Sequence, residues 1–362
     1  RCFSSVGFTC RAQNRLPCGM QSNDGCSGGS TAGASVPSVR FLSANDVYRP
    51  ERFAAVASMV EELGSCQPTH FVLPGDLLGG SLFATASRGE AVIDVLNAMP
   101  KLDYCTLGNH EFDYGAERTV ELMSKSRFRW LGSNVREMAS GKAALFHNVV
   151  DTDIFGVSTT CGMLVKVGVF GLCTQATPQL SHPGPTVRFE SPVEHARRCT
   201  QELRQQGCEL VVALTHLTLQ GDKDVAEACP GVDAILGGHD HDPYLLMCRG
   251  TLIAKCGQNA DHLGVLDFFL DRGGHGGGLR IHHSFQLLST HAAKLHPAVV
   301  AAAEKWRDEG SHEAVCVVGE RGLSTKSQEL RSSENAFGSL VADAIVESYR
   351  TQGCIGAIQN GG

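Results

Sequence analysis

Apolar runs and amphipathic stretches alternate along the chain from Ser38 onwards. The run SVRFLSAND predicts a strand, and the next stretch places apolar residues at helical spacing between Phe53 and Leu63. A second strand, THFVLPGD, leads into a helix that is expected to stop at Pro100, and the strand LDYCTLGNH follows. This βαβαβ order predicts parallel strands in a layered α/β sheet.

The same alternation continues in the second half of the chain. KVGVFGLCT predicts a buried strand, and a helix is expected to begin at Ser191, with Glu194 placed to close a capping box. The runs ELVVALTH and VDAILGGHD predict two more buried strands, each leading into histidine. LGVLDFFLD and RIHHSFQLL predict strands on either side of a Gly-rich turn, and helices are expected at residues 297–307 and 335–350.

These patterns divide the chain into four expected segments. Residues 1–35 are rich in Gly, Ser and Cys without apolar periodicity and predict a flexible leader. Residues 36–294 contain the strand–helix alternation of the main domain, residues 295–311 predict a linker helix, and residues 312–362 predict the opening of a second domain. The chain starts with arginine rather than methionine and stops inside the predicted loop of CIGAIQNGG, so both ends are expected to be cut.

Composition and charge exclude several classes of protein. Hydrophobic residues make up 42% and charged residues 19% of the 362, which describes a globular protein. The formal charge of −7 and the pI near 6.1 leave no basic surface for a nucleic-acid polymer. No apolar run approaches the roughly 18 residues that span a bilayer, so no transmembrane segment is expected. The 15 cysteines include no CxxC pair, which argues against a zinc ribbon and leaves the redox compartment open.

Metal-competent side chains follow five of the predicted strands. Because the carboxyl ends of strands in α/β sheets form a common crevice, we expect these side chains to converge. Asp and His together suit Zn²⁺, Mn²⁺ or Fe better than Mg²⁺ alone. Two such ions about 3.5–4 Å apart activate a bridging water and orient a phosphate, so phosphate ester hydrolysis is the predicted use. The residues are Asp46, Asp76, Asn109, His110, His216, His239 and His241.

A second feature lies inside the motif GNHEFDYG. His110 and Asp113 are three residues apart, so the carboxylate can orient the imidazole to protonate a leaving oxygen. Glu111 between them is interpreted as a structural carboxylate and is left out of the predicted site.

The ordered motifs SANDVY, PGDLLGG, GNHEFDYG, LTH and GGHDHD resemble those of the calcineurin-like metallophosphoesterases. GNHEFDYG is similar to the 5′-nucleotidase branch, which includes UDP-sugar hydrolases and 2′,3′-cyclic phosphodiesterases. The resemblance covers roughly residues 38–362. It implies an α/β fold, a four-layer α/β/β/α sandwich at residues 36–294, followed by the start of a 5′-nucleotidase C-terminal substrate domain at residues 312–362.

The resemblance also implies residue roles at a centre of two divalent metal ions. His110 and Asp113 take the catalytic positions, and Asn109 and Arg331 take positions that bind substrate. For Arg331 a surface salt bridge stays an equal alternative. The ligands of one ion would be Asp46, Asp76 and His241, and those of the other ion would be Asp76, Asn109, His216 and His239.

The first motif departs from the family pattern. The usual Asp-x-His is replaced by Asp46-Val47-Tyr48, and a neutral tyrosine is a weaker ligand than an imidazole. Two hypotheses follow: Tyr48 withdraws and leaves a weaker first site, or it ligates as a phenolate, which a ferric ion favours.

The leading functional hypothesis is a metal-dependent, 5′-nucleotidase-like phosphohydrolase. It would release phosphate from nucleoside monophosphates or similar small phosphate esters by attack of a metal-bridging hydroxide. One alternative is a phosphodiesterase or sugar-nucleotide pyrophosphatase, because the same metal core attacks phosphorus whatever group leaves. The other is a degenerate nucleotide-binding relative without turnover, which Tyr48 favours.

Overall fold

Two mixed β-sheets stack face to face, and helices cover both outer faces. The structure is a computed structural model that describes residues 37–138, 149–159, 162–272, 278–306 and 336–349. Its layer order is α/β/β/α, so the architecture expected from the sequence is confirmed. None of the helices in the described part of the chain has the length and hydropathy needed to cross a membrane.

The described residues form fifteen strands and nine helices, numbered here in chain order. The strands are β1 (Val39–Ser43), β2 (Thr69–Leu73), β3 (Tyr104–Thr106), β4 (Arg129–Leu131), β5 (Val135–Glu137), β6 (Val149–Val150), β7 (Thr152–Ser158), β8 (Leu164–Cys173), β9 (Val187–Phe189), β10 (Leu210–His216), β11 (Ala234–Gly237), β12 (Pro243–Cys248), β13 (Thr251–Cys256), β14 (His262–Arg272) and β15 (Leu279–Ser289). The helices are α1 (Phe53–Leu63), α2 (Leu82–Ser87), α3 (Glu90–Asn97), α4 (Ala116–Ser124), α5 (Thr177–Leu180), α6 (Pro192–Gln205), α7 (Leu219–Ala228), α8 (Pro297–Glu304) and α9 (Ala336–Tyr349).

The first sheet has seven strands in the order β15-β14-β1-β2-β3-β4-β6. Strands β1, β2, β3, β4 and β6 run parallel, as the βαβαβ pattern predicts. β14 and β15 form an antiparallel hairpin, and β14 pairs antiparallel with β1. This sheet places the ends of β1, β2 and β3 side by side at one rim.

The second sheet has six strands in the order β12-β13-β11-β10-β8-β7. Its four central strands are parallel, while β7 and β12 are antiparallel edges. The sequence pattern predicted β8, β10 and β11 but not the hairpin of β12 and β13. Along β12 exposed and partly buried residues alternate, because one face of this edge strand is open to solvent.

Apolar side chains from both sheets fill the space between them. Phe41 of β1 and Phe268 of β14 meet edge to face, with ring centroids 6.1 Å apart, and both are buried. Val167 and Val212 face them from the second sheet in the same cluster. The central strands are buried on both faces, which explains why they read as continuous apolar runs.

Amphipathic helices close the two outer faces. Apolar residues of α1, α3, α4 and α8 pack on the seven-stranded sheet, and those of α6 and α7 pack on the six-stranded sheet. The N-terminus of α6 begins as expected, because the Glu194 backbone N–H donates to the Ser191 hydroxyl at 3.4 Å.

Several sequence expectations lie outside the described residues. They are the leader at 1–35, the strand and loop of CIGAIQNGG, and Arg331. α8 and α9 agree with the helices expected at 297–307 and 335–350. The domain boundaries remain predictions.

Candidate metal centre

The candidate ligands follow the carboxyl ends of strands in both sheets. Asp46 and Asp76 come after β1 and β2, while His216 ends β10 and His239 follows β11. Although Asp76 and His216 belong to different sheets, Asp76 Oδ2 and His216 Nε2 lie 3.2 Å apart. The two sheets therefore contribute to one site at a shared rim, as the sequence predicts.

Asp76, His216 and His239 form the tightest part of the centre. One ligand atom of each lies within 4.8 Å of the other two. His216 Nε2 is 3.3 Å from His239 Nδ1 as well as close to Asp76. Asp76 and His216 are buried, and His239 is partly exposed. A carboxylate and two imidazoles at this spacing suit a divalent transition metal.

The backbone at three candidate ligands lies in the left-handed region. Asp46, Asp76 and His239 have φ values of 53°, 57° and 76°. Such conformations cost about 1–3 kcal/mol each and persist where the surrounding structure enforces them. Gly75, with φ of 82°, makes the neighbouring turn, where an added Cβ would lie 2.6 Å from His216 Nδ1. These turns place the side chains at the rim instead of in the sheet.

The backbone contact of His216 directs its Nε2 towards the other candidate ligands. Its Nδ1 lies 2.8 Å from the Pro74 carbonyl oxygen, which can only accept, so Nε2 faces Asp76. Burial lowers the pKa of His216, but the charges of Asp76 and Asp46 outweigh it and raise the pKa to about 10. Buried carboxylates that draw a proton onto this ring attract a divalent cation in the same way.

The two carboxylates themselves are buried and supported by donors. Burial raises the pKa of Asp46 to about 7, although its Oδ2 accepts from Asn45 Nδ2 at 2.7 Å and the His239 backbone N–H at 2.9 Å. Burial also acts to raise the pKa of Asp76, but the neighbouring His216 outweighs it and holds that pKa below its usual range. Asp76 Oδ1 accepts from the His110 backbone N–H at 2.9 Å.

Asn109 supplies an observation that fits a cation. Its side-chain oxygen is buried and has no hydrogen-bond partner, which is unusual for a buried amide. Amide oxygens are hard ligands, so this oxygen is available to a metal ion. The role of Asn109 as a metal ligand stays a prediction, and this unpartnered oxygen is compatible with it.

Tyr48 lies among the candidate ligands of the other ion. Its hydroxyl oxygen is 3.0 Å from Asp76 Oδ2, 3.4 Å from Asp46 Oδ1 and 3.1 Å from His241 Nε2. Burial, together with these carboxylates, raises the pKa of Tyr48 above its ordinary value and favours the neutral phenol. Gly80 leaves room for the ring, because an added Cβ would lie 2.6 Å from it.

His241 lies beside Tyr48 and Asp46, on the loop between β11 and β12 of the second sheet. Its Nε2 lies 3.6 Å from Asp46 Oδ1, and its side chain is about half exposed, at 47%. Burial of the ring lowers the pKa of His241 and so favours the neutral imidazole, the form that binds metal ions. Of the predicted site residues, Arg331 lies outside the described part of the chain.

The predicted catalytic pair is in contact. His110 Nδ1 lies 2.7 Å from Asp113 Oδ2, which also accepts from the Gly80 backbone N–H at 3.2 Å. Ser181 donates to the other Asp113 oxygen at 2.8 Å. Burial lowers the pKa of His110, but the hydrogen bond to Asp113 and nearby carboxylates raise it to about 9. The imidazole is thus oriented and able to hold a proton.

Glu111 has the structural role that the sequence favoured, but its partners were not predicted. Its buried carboxylate accepts backbone N–H groups of Asp76 at 2.9 Å, Leu77 at 2.7 Å, Leu78 at 3.2 Å and Gly108 at 2.6 Å. It therefore joins the loops after β2 and β3 that present Asp76 and Asn109. Its place inside GNHEFDYG was the available signal, but Asp76, Leu77 and Leu78 are distant from it in sequence.

Residues 39–243 match the calcineurin-like phosphoesterase family. The chain belongs to this family. It is 25% identical over 323 residues to human 5′-nucleotidase, an alignment that covers 82% of the chain and 54% of the human protein. It is 30% identical over 295 residues to the 2′,3′-cyclic-nucleotide 2′-phosphodiesterase/3′-nucleotidase of Yersinia enterocolitica, covering 67% of the chain and 44% of that protein.

A solved structure shows the same fold. The 5′-nucleotidase precursor from Thermus thermophilus superposes with a TM-score of 0.71 at 23% identity, covering 87% of this chain and 68% of that one. The chain spans about half the length of the two curated relatives. The sequence relatives place it in the 5′-nucleotidase and 2′,3′-cyclic nucleotide phosphodiesterase branch, as the motifs predicted.

Replacing Glu111→Gln tests the support of the metal loops. One carboxylate oxygen becomes an amide NH₂ that cannot accept, so two buried backbone N–H groups lose their partner. We expect the free energy of unfolding in urea to fall by about 1–3 kcal/mol, together with weaker Mn²⁺ binding by calorimetry. Glu61→Gln, at an exposed carboxylate, is the control and should change neither value. Unchanged stability and Mn²⁺ affinity in Glu111→Gln would contradict this role.

Proposed function

We propose that this phosphoesterase is a metal-dependent, 5′-nucleotidase-like phosphohydrolase that acts on nucleoside monophosphates or similar small phosphate esters. The observation that supports this most is the group of Asp76, His216 and His239, whose ligand atoms lie within 4.8 Å of one another. The oriented pair of His110 and Asp113 lies beside it, since the His110 backbone N–H donates to Asp76. Family membership supports the same reaction class.

We assign the centre two divalent cations, with Zn²⁺, Mn²⁺ or Fe as the suited ions. The first would be held by Asp46, Asp76 and His241 and the second by Asp76, Asn109, His216 and His239. Asp76 is suited to serve both, because its Oδ2 faces His216 at 3.2 Å and the Tyr48 hydroxyl at 3.0 Å. When bound, such cations activate water and neutralise charge on a phosphate ester.

Side chains of the protein would donate the proton to the leaving group and bind the substrate. His110 is partly exposed and hydrogen-bonded to Asp113, so it is placed to donate a proton to the leaving oxygen. Asp113 holds the ring in orientation with help from Ser181 and Gly80. Asn109 and Arg331 are proposed to contact the substrate phosphate.

Two other functions have support of their own. The Yersinia enterocolitica relative is named for cyclic-nucleotide phosphodiesterase and 3′-nucleotidase activities, so diester cleavage on the same core is the second candidate. A non-catalytic nucleotide-binding protein is the third, because the Tyr48 hydroxyl lies where an imidazole ligand is usual.

The substitution Asp76→Asn tests the metal-dependent reaction. Loss of the central negative charge should reduce Mn²⁺-dependent hydrolysis of p-nitrophenyl phosphate by at least about 10³-fold, since metal catalysis supplies several kcal/mol. Hydrolysis is followed by absorbance before and after chelation. Asp224→Asn, on the surface of α7, is the charge-matched control and should retain full activity. The enzyme proposal fails if the unmodified protein shows no hydrolysis with Mn²⁺, Zn²⁺ or Fe.

Product analysis tests the substrate class. Incubation of the protein with AMP, UDP-glucose or 2′,3′-cyclic AMP should give adenosine and phosphate from AMP with the highest kcat/KM of the three. Chromatography of the products, with chelated protein as the control, measures this. Faster turnover of 2′,3′-cyclic AMP or UDP-glucose would replace the nucleotidase proposal by one of the alternatives.

The substitution Tyr48→His tests the first cation position. An imidazole replaces a neutral phenol that is a poor ligand, so the affinity for a second Mn²⁺ per chain should rise by about tenfold or more. Calorimetric titration gives the stoichiometry, and Tyr48→Phe is the control that removes the hydroxyl without adding a ligand. Equal second-site affinity in Tyr48→His and the unmodified protein would contradict the assignment. A purple or brown colour of the iron-loaded protein would instead indicate a phenolate ligand.

A further inference from the structure

Lys255 is a charged residue that is completely buried next to the metal centre. Its side chain is 0% exposed, and its ammonium Nζ has four oxygen partners. It donates to the Leu217 carbonyl at 2.6 Å, the Gly238 carbonyl at 2.7 Å and Asp240 Oδ2 at 2.7 Å, and it lies 3.0 Å from Asp222 Oδ2. The ammonium is thus fully satisfied without solvent.

The partners of Lys255 adjoin the histidines of the centre. Leu217 follows His216, and Gly238 precedes His239. Asp240 lies between His239 and His241, and its Oδ2 also accepts from the Leu219 backbone N–H at 2.6 Å. One ammonium group therefore joins the loop after β10 to the loop after β11.

Asp222 extends this connection to α7 and β10. Its Oδ1 accepts from the Thr215 hydroxyl at 2.6 Å, and Thr215 is the residue before His216. Gly237 pairs with Lys255 in the register of β11 and β13 and leaves space for the ion pair. A Cβ at Gly237 would lie 2.9 Å from Asp222 Oδ2 and 3.0 Å from Lys255 Cε.

The contacts of Lys255 do more than neutralise its charge, because they also hold two backbone segments in place. A buried lysine needs a carboxylate to offset its desolvation, and Asp222 or Asp240 alone provides that. The two carbonyl bonds of Lys255 have a geometric effect as well, because they draw the backbone beside His216 towards the backbone beside His239. Outer contacts of this kind orient metal ligands and typically change metal affinity by about 10–100-fold.

We propose that Lys255 is a positioning residue that sets the separation of the His216 and His239 imidazoles and thereby the affinity of the cation site. The inference rests on the proposed function, because it requires these imidazoles to bind a cation. Lys255 itself does not touch the reacting atoms.

Arg204 offers a matched control at the opposite ends of the same strands. It donates to the Gly231 carbonyl at 2.7 Å, the Cys208 carbonyl at 3.0 Å and Asp233 Oδ2 at 2.7 Å. These groups lie before β10 and β11, whereas the partners of Lys255 lie after them. Arg204→Met therefore removes a comparable cation without affecting the histidine loops.

The experiment uses Co²⁺ alone as the probe, because its visible absorption reports coordination geometry as well as binding. The test variants are Lys255→Met and the double variant Lys255→Met/Asp222→Asn, which removes one buried charge of each sign. We expect Co²⁺ to bind at least about tenfold more weakly in both, with an altered spectrum. Arg204→Met should keep the affinity and spectrum of the unmodified protein even if its melting temperature falls.

The outcomes separate the two proposals. If the unmodified protein binds Co²⁺ and the double variant binds it equally tightly with the same spectrum, the positioning role is overturned and the proposed function stands. If the single variant does not fold, the double variant decides, because it no longer leaves the fully buried Asp222 carboxylate without a cation. Absence of Co²⁺ binding by the unmodified protein would overturn both proposals.

Discussion

The contact between Asp76 and His216 is the interaction on which the site depends. It joins the end of β2 in the seven-stranded sheet to the end of β10 in the six-stranded sheet, with 3.2 Å between carboxylate oxygen and imidazole nitrogen. The contact exists only because the apolar faces of both sheets pack against each other and bring their rims together. The packing of the core between the sheets thus determines the positions of Asp76 and His216 in the candidate site.

The two buried carboxylates at the rim, Asp46 and Asp76, are stable in their charged forms only when positive charge or hydrogen-bond donors lie nearby. Burial alone favours their neutral forms, but hydrogen bonds from Asn45 and from the His110 and His239 backbone N–H groups support the charged ones. Left-handed backbone at Asp46, Asp76 and His239 adds strain to the same region. A folded protein retains such an arrangement where the surrounding core is rigid, and a cation centre is the use that this chemistry suits.

Because of Tyr48, the donor groups on the His216 side of the candidate centre differ from those on the His241 side. On the His216 side, a carboxylate and two imidazoles are supported by Glu111 and by the backbone of Pro74. On the His241 side, a neutral hydroxyl lies among the oxygens and nitrogen that a cation would contact. Unequal donor sets lead to unequal affinities, so the His216 side is the better-suited cation site of the two.

The sequence by itself determined the strands that are buried on both faces, because continuous apolar runs such as ELVVALTH have no other stable location. It also determined which side chains reach the rim, since Asp76, His216 and His239 come directly after those runs. Only the tertiary structure decided the roles of Glu111 and Lys255 and the direction of the Tyr48 hydroxyl. Each depends on partners that are distant in sequence or in another sheet, and local patterns of apolar and polar residues contain no information about such contacts. The hairpin of β12 and β13 was not predicted either, and its place at the edge of the six-stranded sheet follows from strand pairing, which the sequence pattern does not contain.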